Sequence, residues 1–188
     1  MSSLSLKALL LATLVGFAAG GHAGPRDVTD PNLPRTLEKA GPVSVSWSDP
    51  AQFSEIRRSG NRWEARRGDW VVKLAEHIQT RAERSLPAGE RMEVTITDIQ
   101  RAGNYEPWHG PQADDVRFVR DIYPPRIELS FKRYDAQGAV VSEGERRLSD
   151  LSYLSNVRSA NSNDTLQYEK RLIDTWLSQE LPRRSNGA

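Results

Sequence analysis

Residues 126–147 read RIELSFKRYDAQGAVVSEGERR, and this stretch decides the fold class. Ile127, Leu129 and Phe131 alternate with Glu128, Ser130 and Lys132. Alternation of this kind gives a pleated strand one buried face and one wet face. Asp135-Ala136-Gln137-Gly138 then supplies turn residues, and the chain returns through 139–147. The expectation is a hairpin of two antiparallel strands.

The same reading extends upstream. Val43, Val45 and Trp47 alternate with Ser44 and Ser46 until Ser48-Asp49-Pro50 ends a first strand. Met92, Val94 and Ile96 alternate with Glu93, Thr95 and Thr97 in another, and 116–119 reads as a further short strand. Between them, Trp70, Val71, Leu74, Ala75, Ile78 and Ala82 share one face of a helix over 69–86, closed by Pro87 and Gly89. A second helix is expected over 165–181, with Asp164 as N-cap and Gln167 as its capping-box partner. Residues 149–154 suit one helical turn, and 104–115 a surface loop. The order β-α-β-(β)-β-β-α lacks the regular alternation of a parallel sheet. The predicted class is α+β: a mainly antiparallel sheet of about four strands with two helices packed on one face.

Ahead of this domain, Lys7 precedes an apolar run, Ala8 to Ala19, and Gly20, Gly21, His22 and Ala23 follow. A basic start, an apolar stretch and a small-residue end is the secretory pattern, so 1–23 is expected to be a signal peptide cleaved after Ala23. The run is shorter than the ~20 apolar residues a spanning helix needs. No membrane span is expected after cleavage. Residues 24–42 carry Pro25, Pro31, Pro34 and Pro42 and read as an extended leader. The domain then covers 43–182, and 183–188 is a polar tail.

Beyond residue 23, basic and acidic residues balance, which argues against nucleic acid as a partner. Of the 26 basic residues in the whole chain, 21 are Arg, a bias toward forked ion pairs. Cysteine is absent, which excludes disulfides, thiol catalysis and Cys-ligated metals. No nucleophile elbow, P-loop, dinucleotide-binding glycine turn or paired-histidine zinc motif occurs. His77 lies on the edge of the first helix's apolar face and reads as a packing residue. His109 shares a polar loop with Asp114 and Asp115; the irregular spacing favours a solvated loop over a metal site. No catalytic residue, metal site or cofactor is expected.

The densest charged stretch, 114–126, reads DDVRFVRDIYPPR. Arg117, Arg120, Tyr123 and Arg126 are the ligand-binding candidates, because Arg forks grip carboxylates and phosphates. The competing reading is structural: the same arginines fasten the loop by pairing with Asp98, Asp121 or Glu169. Glu169 falls at about 300° from Leu166 on the second helix, inside its apolar face. A carboxylate there needs a partner, and Arg117, Arg120 or Arg126 is expected to supply it.

Several blocks together resemble an uncharacterised family of exported bacterial proteins, domain of unknown function 3016. They are Trp47-Ser48-Asp49-Pro50 with Phe53, Asp98-Ile99 to Ala102-Gly103, Asp115-Val116-Arg117 with Arg120-Asp121-Ile122, Pro125-Arg126-Ile127, Leu148-Ser149-Asp150 with Tyr153-Leu154, and Tyr168-Glu169-Lys170-Arg171. The resemblance covers about Val43 to Leu177 and implies export and a single domain. It brings no activity, cofactor or catalytic residue. Where the family tends to carry a second acid after the Asp-Ile pair, this chain has Gln100 and Arg101.

The leading functional expectation is a non-catalytic binding or accessory module of the periplasm. Its partner would be another envelope protein or a small anionic ligand. The alternative is a hydrolase pairing His109 with Asp114 or Asp115. A third reading is structural, through exposed Trp63, Tyr105 and Trp108.

Overall fold

The computed structural model describes residues 26–38, 41–155 and 163–181. The expected signal peptide at 1–23 and the tail at 183–188 lie outside these residues. Four strands, β1 (Val43–Trp47), β2 (Arg91–Gln100), β5 (Arg126–Tyr134) and β6 (Val140–Ser149), form one sheet in the order β1-β2-β5-β6. Two very short strands, β3 (Asn104–Tyr105) and β4 (Arg117–Phe118), pair separately.

The sheet is mixed. β2, β5 and β6 run antiparallel, with Val94 opposite Phe131 and Phe131 opposite Gly144, as the hairpin reading requires. β1 runs parallel to β2, Val45 facing Val94. The expectation of an antiparallel arrangement fails at this pair for a topological reason. A helix lies between the two strands in sequence, and its crossover returns the chain in the original direction.

The described residues form four α-helices: α1 (Ser54–Arg57), α2 (Arg62–Arg66), α3 (Trp70–Ser85) and α4 (Gln167–Glu180). The two long ones pack on one sheet face, α3 against β1 and α4, and α4 against β5 and β6. Into that layer go Val43, Val45, Met92, Ile96, Ile127 and Leu129, against Leu74 and Ile78 of α3 and Ile173 of α4, all essentially without solvent contact. Trp176 of α4 meets Phe131 edge-on, ring centres 5.8 Å apart. The other sheet face stays open and polar, with Glu93, Thr95, Ser130 and Lys132 on it. No helix among the described residues is long and apolar enough to cross a membrane.

Two irregularities aim side chains. In β2 the register against β5 shifts between Ile96 and Asp98. The inserted residue reverses the in–out alternation. Ile99 therefore stays in the core, and Asp98 accepts the Ser54 N–H (2.5 Å) and hydroxyl (2.7 Å) at the start of α1. The hairpin loop is stitched by Asp135, whose Oδ1 accepts the N–H groups of Gln137 and Ala139, while Gly138 takes φ 87°.

Three local expectations are revised. Asp164 does not cap α4. Its carboxylate accepts the Leu166 N–H and its carbonyl the Gln167 N–H, making a turn before the helix begins. The stretch 149–154 is not helical: β6 runs to Ser149, and turns follow that bury Tyr153 completely. Residues 26–38, within the stretch expected to be an extended leader, lie against the domain. Val28 joins the core cluster, and Thr36 bridges to Ser46, covering the outer edge of β1.

Candidate functional site

As the chain leaves β2 it turns sharply at Gly103, φ 80°. A Cβ built there would lie 2.7 Å from the Phe118 carbonyl oxygen, so the loop can close over this turn only because the residue is glycine. β3 and β4 then pair, setting Tyr105 opposite Arg117. That register sends the Arg117 side chain beneath the turn. Its Nε donates to Ala102 O (2.7 Å), and Nη2 donates to Gly103 O (3.0 Å).

The anchor for Arg117 is Glu55 of α1. Nη1 and Nη2 of Arg117 donate to Oε1 (2.8 Å) and Oε2 (3.0 Å), a bidentate fork. Arg101 adds its own Nη2 and backbone N–H to the same carboxylate, both at 2.9 Å. Burial alone would push the Glu55 pKa up, but the charges of Arg101 and Arg117 prevail and hold it below its ordinary value. Arg101 lies over the Trp70 ring and Arg117 over Tyr105.

A second buried carboxylate, Glu106, sits further along the loop. His109 Nε2 lies 2.7 Å and Arg120 Nη2 2.8 Å from its Oε2, and the Tyr123 hydroxyl donates to Oε1 at 3.0 Å. Burial would raise the Glu106 pKa, yet these hydrogen bonds and the Arg120 charge lower it overall. The Tyr123 phenol is raised, first by burial and then by its bond to Glu106. The His109 ring stacks on Phe118, centres 4.6 Å apart. Beneath, the Tyr153 hydroxyl donates to Arg120 O (2.6 Å), and burial pushes its pKa up to about 12.

Helix α4 closes the network. Glu169 is fully buried, as its helical phase requires, but its expected arginine partner is absent. Its Oε1 accepts the Ala102 N–H at 2.6 Å. Its Oε2 has no hydrogen-bond partner, and burial raises its pKa despite the Ala102 bond and the charges of Arg101 and Arg117. Of the arginines that sequence reasoning offered to Glu169, Arg117 belongs to Glu55 and Arg120 to Glu106. Arg171, two residues further, donates to Asp150 (3.0 Å) and Tyr153 O (2.8 Å).

The sequence-derived candidates therefore divide. Arg117 is part of the buried framework. Arg120 and Tyr123 converge on Glu106. Arg126 is exposed at the start of β5 and makes no ion pair with a described residue. Asp98 starts α1 and, among the described residues, pairs with no arginine, while Asp121 accepts the N–H of Ile122. His109 pairs with Glu106, not with Asp114 or Asp115, and the described residues hold no group of three or more His, Cys, Asp or Glu arranged for a metal. His77 bonds Asp174 at 2.9 Å and so ties α3 to α4. Sequence reasoning missed Glu55 and Glu106. Glu55 lies between Phe53 and Ile56, both buried, and that flanking is the only signal it offers.

Above this framework the loop turns apolar side chains outward. Trp108 is 69% and Ile122 67% exposed, and Val116 and Val119 join them at 44% each. The class of protein is thus an α+β domain whose sheet end carries a loop fastened by two buried glutamates. The blocks quoted for the family resemblance, from Trp47-Ser48-Asp49-Pro50 to Tyr168-Glu169-Lys170-Arg171, supply much of this framework. The chain belongs to the family described as protein of unknown function (DUF3016), whose model matches residues 41–179. No curated protein and no solved structure matches it. Just after the Asp98-Ile99 pair, where the chain has Gln100 and then Arg101, the Arg101 side chain closes onto Glu55.

Proposed function

We propose that this chain is an exported envelope protein acting as a non-catalytic binding module, with the outer side of residues 104–123 as its contact surface. One observation carries the reading: a loop held rigidly from below presents Trp108, Val116, Val119 and Ile122 to solvent. Exposed apolar groups on a fixed support favour a protein partner, because little ordering entropy is lost on contact. The arginines support a protein partner over an anionic ligand, since Glu55 and Glu106 already neutralise Arg117 and Arg120. Export rests on the secretory pattern of residues 1–23.

The test is a photo-crosslinking residue placed at Trp108, at Ile122 and, on the open sheet face, at Glu143, in cells making the full chain. A discrete adduct from 108 and 122 but not from 143, in the periplasmic fraction, is expected. An identical pattern at all three positions, or no adduct, overturns the reading. The alternative, a hydrolase, draws on the 2.7 Å bond by which Glu106 orients His109. Loss of ester or peptide hydrolysis in His109→Gln, with an unchanged melting temperature, would put that reading first.

A further inference from the structure

Residues 26–38 form a strap that meets the domain at both ends. At the first, Val28 N–H donates to Arg66 O (2.9 Å) and Gly68 N–H to Arg26 O (2.7 Å). At the second, Leu37 N–H donates to Val45 O (3.0 Å) and Trp47 N–H to Arg35 O (2.9 Å). Between these fastenings the strap stands away from the domain and bounds a cavity of about 390 Å³. Val28, Leu33 and Leu37 of the strap, Trp47 of β1, and Val71 and Val72 of α3 supply its apolar wall. The cavity is half-open to solvent rather than enclosed. It falls within the ~300–1,000 Å³ typical of small-molecule sites. Leu33 does not fill it, being 45% exposed.

The rim sets the sign of the ligand. Arg35 pairs with Asp49 (3.0 Å), and Arg26 shares Asp69 (3.4 Å) with Lys73, which holds the same carboxylate at 2.8 Å. Asp30 and Glu38 also line the cavity; neither is ion-paired with a described residue, and Asp30 accepts the Asn32 N–H (2.9 Å) and side-chain amide (3.0 Å). Among the described residues the rim keeps an excess of negative charge, so an anion entering here is disfavoured and a cation is complemented by Asp30 and Glu38. We infer that the cavity binds a small apolar molecule carrying one cationic group, of the arylalkyl-amine class. This site is separate from the contact surface on 104–123 and stands without it.

The probes are phenethylamine, 2-phenylethanol and 3-phenylpropanoate, titrated into the full chain and followed by amide NMR shifts. Phenethylamine should shift strap residues and Val71 saturably, about 5-fold tighter than the alcohol, with the carboxylate weakest. Val72→Trp, which fills the cavity, should abolish all three. Asp30→Asn with Glu38→Gln, two solvent-accessible changes that leave the wall intact, should bring the amine down to the alcohol's affinity. No saturable shift with the amine, equal binding of the carboxylate, or an amine preference that survives the double substitution each overturns the inference.

Discussion

Glu169 accepts the Ala102 N–H at 2.6 Å, joining the first turn of α4 to the loop that leaves β2. Its other oxygen is buried without a partner, and burial raises its pKa above the ordinary 4.5. A carboxyl whose folded pKa is raised favours folding most fully below its unfolded value. That contribution is lost as pH climbs through the folded value. Glu169→Gln keeps an acceptor for Ala102 and never ionises. It should lie within ~1 kcal/mol of the parent at pH 4. Denaturation midpoints should then show it gaining on the parent as pH rises to 8. Glu169→Ala should lose ~1–3 kcal/mol, the cost of a stranded buried N–H. A difference between Gln and Glu that does not change with pH contradicts this account.

Glu55 behaves in the opposite sense. Arg101 and Arg117 overcome the effect of burial and depress its pKa below the ordinary 4.5. Its stabilising contribution is present above that value and is lost as pH falls below about 4.5 toward the folded pKa. Glu55→Gln leaves two half-buried guanidinium groups without counter-charge and should lose ~3 kcal/mol at pH 7, the low end for a broken buried pair. Arg117→Lys should not rescue the fork, because an ammonium cannot make the bidentate bond. Urea titrations of the three proteins at pH 7 check this, and a loss under ~1 kcal/mol for Glu55→Gln would show that the network is dispensable.

Some of this was legible in the sequence and some was not, for physical reasons. Alternation at Met92–Thr97 and Ile127–Lys132 reveals which face of a strand is buried, so the three-stranded antiparallel part follows. It is silent on which strand lies alongside, and β1 is placed only by the crossover through α3. Glu169 shows its burial because a 14-residue helix has a phase. Its partner does not show, since phase says where a side chain points and not what meets it. Glu55 and Glu106 stand in segments too short for any period. Asp98 reaches Ser54 because the bulge after Ile96 shifts the alternation, and the step of three from Ile96 to Ile99 is the trace that shift leaves in residues 91–100.

Glycine substitutions separate backbone conformation from close approach. Gly103 and Gly138 take similar positive φ values, 80° and 87°. A Cβ at Gly138 meets nothing within 4 Å, whereas at Gly103 it meets the Phe118 carbonyl at 2.7 Å. Gly138→Ala should therefore lose only the ~1–2 kcal/mol of a left-handed L-residue. Gly103→Ala carries that same loss and must also push β4 away from the turn. Thermal melts should rank Gly103→Ala clearly below Gly138→Ala. Equal melting temperatures would mean that the β3–β4 pair yields freely and the loop is not held as described.

The last prediction concerns how the proposed contact surface keeps its shape. Glu106 is the single carboxylate that gathers His109, Arg120 and Tyr123. Removing its charge should loosen the loop and leave the core helices alone, because none of its three partners belongs to α3 or α4. In Glu106→Gln, amide hydrogen exchange should accelerate across residues 107–122 and stay at the parent rate in α3. The direction of the pKa shift gives an independent check. Its lowered value means that the loop's order is present above the ordinary 4.5 and is lost as pH drops below it. The parent at pH 4 should thus begin to show the exchange pattern that the variant shows at pH 7, once rates are corrected for intrinsic pH dependence. If the variant also fails to yield the crosslink at position 108 while α3 remains protected, the rigidity of the loop is what the partner recognises. Unchanged protection over 107–122 would place the support of that surface elsewhere, on Arg117 and Glu55 alone.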